Sequence, residues 1–150
     1  MAASRSQFVY PYPRPMVTVD AVVFTVRDGR REVLLIERKH APFAGSWAFP
    51  GGFVEMDETL DAAAARELDE ETGLTGIPLR QFHAFGDPGR DPRGRSIAVA
   101  YVGEADWRKV SPQAADDARA ARWFPADAPP PLAFDHARIL EYALRCVCKE

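Results

Sequence analysis

The stretch from Thr59 to Gly73 restricts what can surround it more than any other part of the chain. An α-helix turns once per 3.6 residues. Glu67, Glu70 and Glu71, spaced i, i+3 and i+4, therefore share one face. Leu60, Ala64 and Leu68 form a second stripe suited to packing on a sheet, and Asp69 points elsewhere. Thr59 is placed to cap the start of the helix, and Gly73 to stop it. The segment has to lie with one face on a core while another carries three carboxylates.

The flanking sequence supplies a sheet for that helix. Val17 to Val26 is rich in β-branched residues, and Val33 to Ile36 is a second apolar run. Asp28-Gly29 between them is a strong turn pair, so 17–36 is expected to be a β-hairpin. Pro42 to Gly52 reads as a loop anchored by Trp47 and Phe49. Ile77 to Phe85, Ser96 to Val102 and Ala120 to Phe124 read as further strands. The loop from Gly86 to Arg95 is dense in Gly, Pro and charge. Asp135 is placed to cap a last helix that carries Ile139, Leu140, Ala143, Leu144 and Val147 on one side. The expected fold is α/β, mixed α+β: an α/β/α sandwich with a mixed sheet between helices. A proline-punctuated arm, residues 1–15, precedes a single domain over 16–150.

Three carboxylates on one face repel and raise one another's pKa. A solvated acidic face is the commonest source of such a run. Two features point beyond it. Arg66 stands four residues before Glu70, where it can hold that carboxylate from the side. Gly51 and Gly52 precede the helix and leave backbone groups open to a ligand. A hard divalent cation would turn the repulsion into a binding site, because Mg²⁺ takes oxygen ligands and keeps waters and phosphates in its shell.

The string from Gly52 to Leu74 resembles the Nudix box: Gly52, five residues, Glu58, seven residues, then Arg66-Glu67-Leu68-Asp69-Glu70-Glu71-Thr72-Gly73-Leu74. Every specified position matches. Gly45 to Gly52 also resembles the family's approach to the box. The resemblance implies that Glu67, Glu70 and Glu71 ligate Mg²⁺ or Mn²⁺, that a carbonyl of Gly51 or Gly52 adds a ligand, and that Glu58 and Arg66 shape the site. It implies attack of water on a phosphorus of a diphosphate. The base would be Glu67 or Glu70, or a later acid such as Asp116 or Asp117.

Phe85 to Gly94 and Leu132 to His136 look like segments of the ADP-ribose pyrophosphatases of that family, which implies cleavage of ADP-ribose to AMP and ribose 5-phosphate. Phe85, Arg90, Asp91 and Arg93 are the expected substrate contacts, with arginine suited to phosphate. The alternatives are another nucleotide sugar, a dinucleotide, a damaged nucleoside triphosphate, or a non-catalytic sensor of an ADP-ribose-like ligand. A net charge of −3 without a basic stripe disfavours nucleic acid as a partner. No apolar run has the length of a signal peptide or membrane span, so a cytoplasmic protein is expected. Cys146 and Cys148 supply neither a disulfide framework nor a zinc site. The arm and the resemblance suggest a homodimer. His136 reads as a helix-start residue, and Asp20 stands unexplained inside an apolar strand.

Overall fold

The computed structural model describes residues 9–114 and 118–148; Asp116 and Asp117 lie outside them, as does the start of the arm. Strands β1 (Met16–Arg27) and β2 (Arg30–Arg38) form the expected hairpin around Asp28 and Gly29, both at positive φ. Strands β5 (Arg80–Phe85), β6 (Ser96–Glu104) and β7 (Ala118–Pro125) follow the later apolar runs. β5 starts three residues after the expected Ile77, beyond Pro78, which has no N–H to give to a ladder. Two short strands stand in the segment expected to be loop: β3 (Trp47–Ala48), paired with β2, and β4 (Gly51–Phe53), paired with β1. Glycines and prolines hide them, since their extension is set by partners distant in sequence.

The sheet runs β3-β2-β1-β6-β5, with β4 on β1 and β7 on β2. β1 and β6 are parallel and the other pairs antiparallel, so the sheet is mixed. Alternation along the strands builds two faces. Val19, Ala21, Val23, Leu34, Val99 and Tyr101 face helix α1 (Leu60–Thr72), against Ala63, Ala64 and Leu68. Val22, Phe24, Val33, Leu35, Ala100 and Val102 face helix α2 (His136–Val147), against Ile139, Leu140, Ala143 and Val147. The result is the expected α/β/α sandwich. No helix among the described residues is long and apolar enough to cross a membrane.

Both ends of α1 are fixed by local chemistry. Thr59 Oγ1 accepts the Ala62 N–H at 3.1 Å. Gly73, at φ 76°, donates its N–H to the Asp69 carbonyl at 2.7 Å, a conformation that favours glycine. Leu68 then sits at the centre of the helix–sheet contact, 2% exposed. Leu68→Ala is expected to cost about 2–5 kcal/mol in urea denaturation, whereas Asp69→Ala, on the exposed side, should stay within about 0.5 kcal/mol of the wild type.

Candidate active site

β1 changes neighbours on the side away from β6. Its first half, Thr18 to Asp20, pairs with β4, and its last residues, Phe24 to Arg27, pair with β2. β2 and β4 thus diverge, and a cavity of about 590 Å³ opens beside them. Its walls come from β1 (Asp20), β2 (Ile36, Arg38), β4 (Gly51, Gly52), α1 (Arg66, Glu67, Glu70, Glu71), the 86–95 loop (Arg90, Asp91, Arg93) and the start of α2 (Phe134, His136).

The acidic face of α1 turns into this cavity around Arg66. The Arg66 guanidinium donates to both oxygens of Glu58 (2.9 and 2.6 Å), to Glu67 (2.8 Å), to Glu70 (3.1 Å) and to the Phe53 carbonyl (3.1 Å). The Arg66 hydrogen bonds hold Glu58 below the usual carboxylate range, and Glu58 in turn raises Arg66. Glu58 is a strut of the site, not part of the cavity wall. Burial pushes Glu67 up, against the pull of Arg66. Burial, followed by the charges of Glu67 and Asp20, pushes Glu71 up to about 9. Among the described residues Glu71 Oε2 is buried with no hydrogen-bond partner.

The glycines are required by close approach. A Cβ on Gly52 would stand 2.6 Å from Glu67 Oε1, and one on Gly51 would stand 2.5 Å from Asp20 Oδ1. β4 can therefore lie flat against the acids only with glycine at both positions.

The remaining expected residues separate. Arg93 lines the cavity, holds Asp91 through bonds of 3.1 and 2.8 Å, and lies over the rings of Phe53 and Phe134. Arg90 is turned inward. It grips Asp135 with bonds of 2.9 and 2.6 Å and Ser96 at 3.0 Å. Asp135 accordingly makes no side-chain cap for α2, contrary to expectation, because its carboxylate is taken by Arg90. Phe85 is placed in the core rather than on the cavity wall, its ring against those of His83 and Tyr142.

Asp20, Arg38 and Phe134 are among the wall residues to which the sequence assigned no role in the site. Asp20 left a trace, a charge inside an apolar strand. Burial raises it to about 7, with Arg90 opposing and Asp135 and Glu67 adding. His136 does start α2, but it also lines the cavity. Burial lowers it to about 3, so it is neutral.

The donor set fits a hard cation. It is all oxygen, and it leaves one buried carboxylate oxygen without a partner. Among the described residues no three acidic, imidazole or thiol side chains yet converge on one point.

A mixed-sheet sandwich with an arginine-braced acidic helix beside a glycine strand defines the class of protein. The NUDIX domain matches residues 16–143, and the chain belongs to the Nudix family. Within it, the chain is 38% identical over 134 residues to the ADP-ribose pyrophosphatase of Methanocaldococcus jannaschii, covering 89% of this chain and 76% of that one. It is 38% identical over 136 residues to the ADPR responsive transcriptional repressor NtrR of Acinetobacter baylyi, covering 88% of this chain and about half, 54%, of the repressor. The NUDIX domain of Shewanella oneidensis NrtR, complexed with ADP ribose in its cocrystal structure, aligns with a TM-score of 0.84 at 32% identity, over 97% of this chain and 99% of that one.

Two outcomes follow from the site's geometry and charge. Gly52→Ala should keep the fold, by circular dichroism, yet displace the Glu67 carboxylate and lower hydrolytic activity about 100-fold. Glu71 binds its proton more tightly in the folded chain than in the unfolded one, so metal-free stability falls as pH rises from about 4.5 to about 9. Metal-free Glu71→Gln should therefore melt above the wild type at pH 8, with the difference closing towards pH 5. Differential scanning calorimetry across that range checks this.

Proposed function

We propose that this Nudix domain is a Mg²⁺-dependent hydrolase that cleaves ADP-ribose to AMP and ribose 5-phosphate. The observation that carries the reading is the union, in one cavity, of the acidic face of α1 with arginine and aromatic side chains on other elements. The cavity volume of about 590 Å³ is in the range of small-ligand sites. The pyrophosphatase relative and the ADP-ribose complex of the NrtR domain support the substrate.

In this reading Glu67 and Glu71, with a carbonyl of Gly51 or Gly52, hold the cation. When bound, the cation neutralises phosphate charge and acidifies water. Arg38 and Arg93 line the cavity and meet the charge of the diphosphate. Phe134 supplies an aromatic face for the base, its backbone held at a φ of 52° that an aromatic residue seldom adopts. Arg66 fixes the glutamate rotamers, so that the carboxylates are ordered before substrate arrives. Glu70, with 46% of its side chain exposed against 11% for Glu67, takes the proton of the attacking water. The new bond forms from water oxygen to phosphorus. The bond from phosphorus to the bridging oxygen breaks, and that oxygen leaves on the second phosphate.

A second reading has a specific observation behind it. Relatives that match most of this chain include the ADPR responsive repressor and the ADP-ribose-bound NrtR domain, so binding without turnover is the alternative. A steady-state assay with Mg²⁺ and with Mn²⁺ across ADP-ribose, other nucleotide sugars, dinucleotides and triphosphates separates them. ADP-ribose should exceed the others in kcat/KM by about 10-fold or more. Glu67→Gln should lower kcat about 100-fold while ADP-ribose still binds in calorimetry. Equal rates across the panel would remove ADP-ribose as the substrate. Tight binding by an inert wild type would leave the sensor.

A further inference from the structure

Asp20 stands on β1, outside the acidic helix, and its charge is not consumed by the fold. It is 7% exposed and lines the cavity. His136 Nε2 stands 3.7 Å from its Oδ1, beyond hydrogen-bond reach. The imidazole is held from behind. Its Nδ1 accepts the Phe49 N–H at 3.1 Å, and its ring stacks on the Phe49 ring at 4.9 Å and 21°. An acceptor at Nδ1 puts the proton of the neutral ring on Nε2, facing Asp20. On the other side, a Cβ on residue 51 would stand 2.5 Å from Asp20 Oδ1, so the carboxylate lies between Gly51 and His136. The remaining direction is the cavity that Glu67 and Glu71 also line. A tie made only for the fold would close the 3.7 Å gap and would not set a third acid within electrostatic reach of two others.

We infer that Asp20 is a positioning residue of the cation site, aimed by the Nε2–H of His136 so that its carboxylate accepts hydrogen bonds from water in the cation's outer shell. This rests on reading the site as one for a divalent cation. Mg²⁺ retains waters, and the protein groups that receive them tune affinity. Arg90 joins this arrangement in two ways: its charge favours the ionised form of Asp20, and by gripping Asp135 it fixes the residue next to His136 and hence the start of α2.

The test is Mn²⁺ binding to the full chain, read as free Mn²⁺ by electron paramagnetic resonance, for wild type, Asp20→Asn, His136→Asn and the double variant. Asn at 136 can keep an oxygen for the Phe49 N–H but loses the donor that faces Asp20. Asp20→Asn should weaken Mn²⁺ about 10–100-fold. His136→Asn should weaken it in the same direction, measured on protein shown by circular dichroism to be folded. The double variant should be no worse than Asp20→Asn, because His136 acts through Asp20. An Asp20→Asn affinity within about twofold of wild type, or additive losses in the double variant, overturns the inference. Should Asp20→Asn not fold, unchanged Mn²⁺ affinity in His136→Asn overturns it alone. Turnover is not the readout. A wild type that binds Mn²⁺ through Asp20 but cleaves no ADP-ribose retires the proposed substrate and keeps this inference; cleavage with an indifferent Asp20→Asn retires this inference only.

Discussion

The guanidinium of Arg66 is the interaction on which the site depends. It binds Glu58, Glu67 and Glu70 and the Phe53 carbonyl, linking α1, the turn before it and β4 through one planar group. Without a cation among them, these carboxylates would repel and turn towards solvent. With the guanidinium in place, Glu67 stays nearly buried against Gly52, and burial beside it makes the charge of Glu71 costly. The stored repulsion is what a divalent cation can relieve. Arginine suits this because its fork satisfies several acceptors at fixed angles, which a lysine ammonium does not.

A second arginine does comparable work farther out. Arg90, with a side chain 5% exposed, ties the 86–95 loop to Asp135 and Ser96. A surface arginine pair would contribute little, but a buried bidentate one, if broken, leaves an uncompensated charge. The loop that reads as a substrate grip is thus partly a brace. Arg93 is more exposed than Arg90 and lies beside Phe134 and Phe53.

What could be read in advance followed the range of the forces involved. The helix over 60–72 and the hairpin at Asp28-Gly29 were legible because capping, periodicity and turn chemistry are local. The sandwich was legible because alternation and stripe width fix which face is buried. The grouping of Glu67, Glu70 and Glu71 with Arg66 lies within five residues and needed only helical geometry. β4 was not legible, because its extension depends on pairing with Thr18 to Asp20, more than thirty residues away. Phe85 lies in the core, where its surroundings are set by Tyr142 on α2, a contact that no local signal announces. Asp20 was visible only as an anomaly, and its meaning required His136 from the far end of the domain. Asp116 and Asp117 lie outside the described residues.

The pairing of β1 makes the cavity's chemistry a matter of parity. Val19 and Asp20 point to opposite faces, Val19 towards α1 and Asp20 into the cavity. A strand has period two, so a shift of one residue exchanges them. A slip of one residue along β1 would retain every apolar side chain and still put Val19 or Ala21 where the carboxylate stood. Because Asp20 and Gly51 are register partners, the same slip would set a different residue against the glycine strand. The identity of the site is thus written partly in the counting of residues along the sheet, and it could be erased with no change to any residue of the acidic helix.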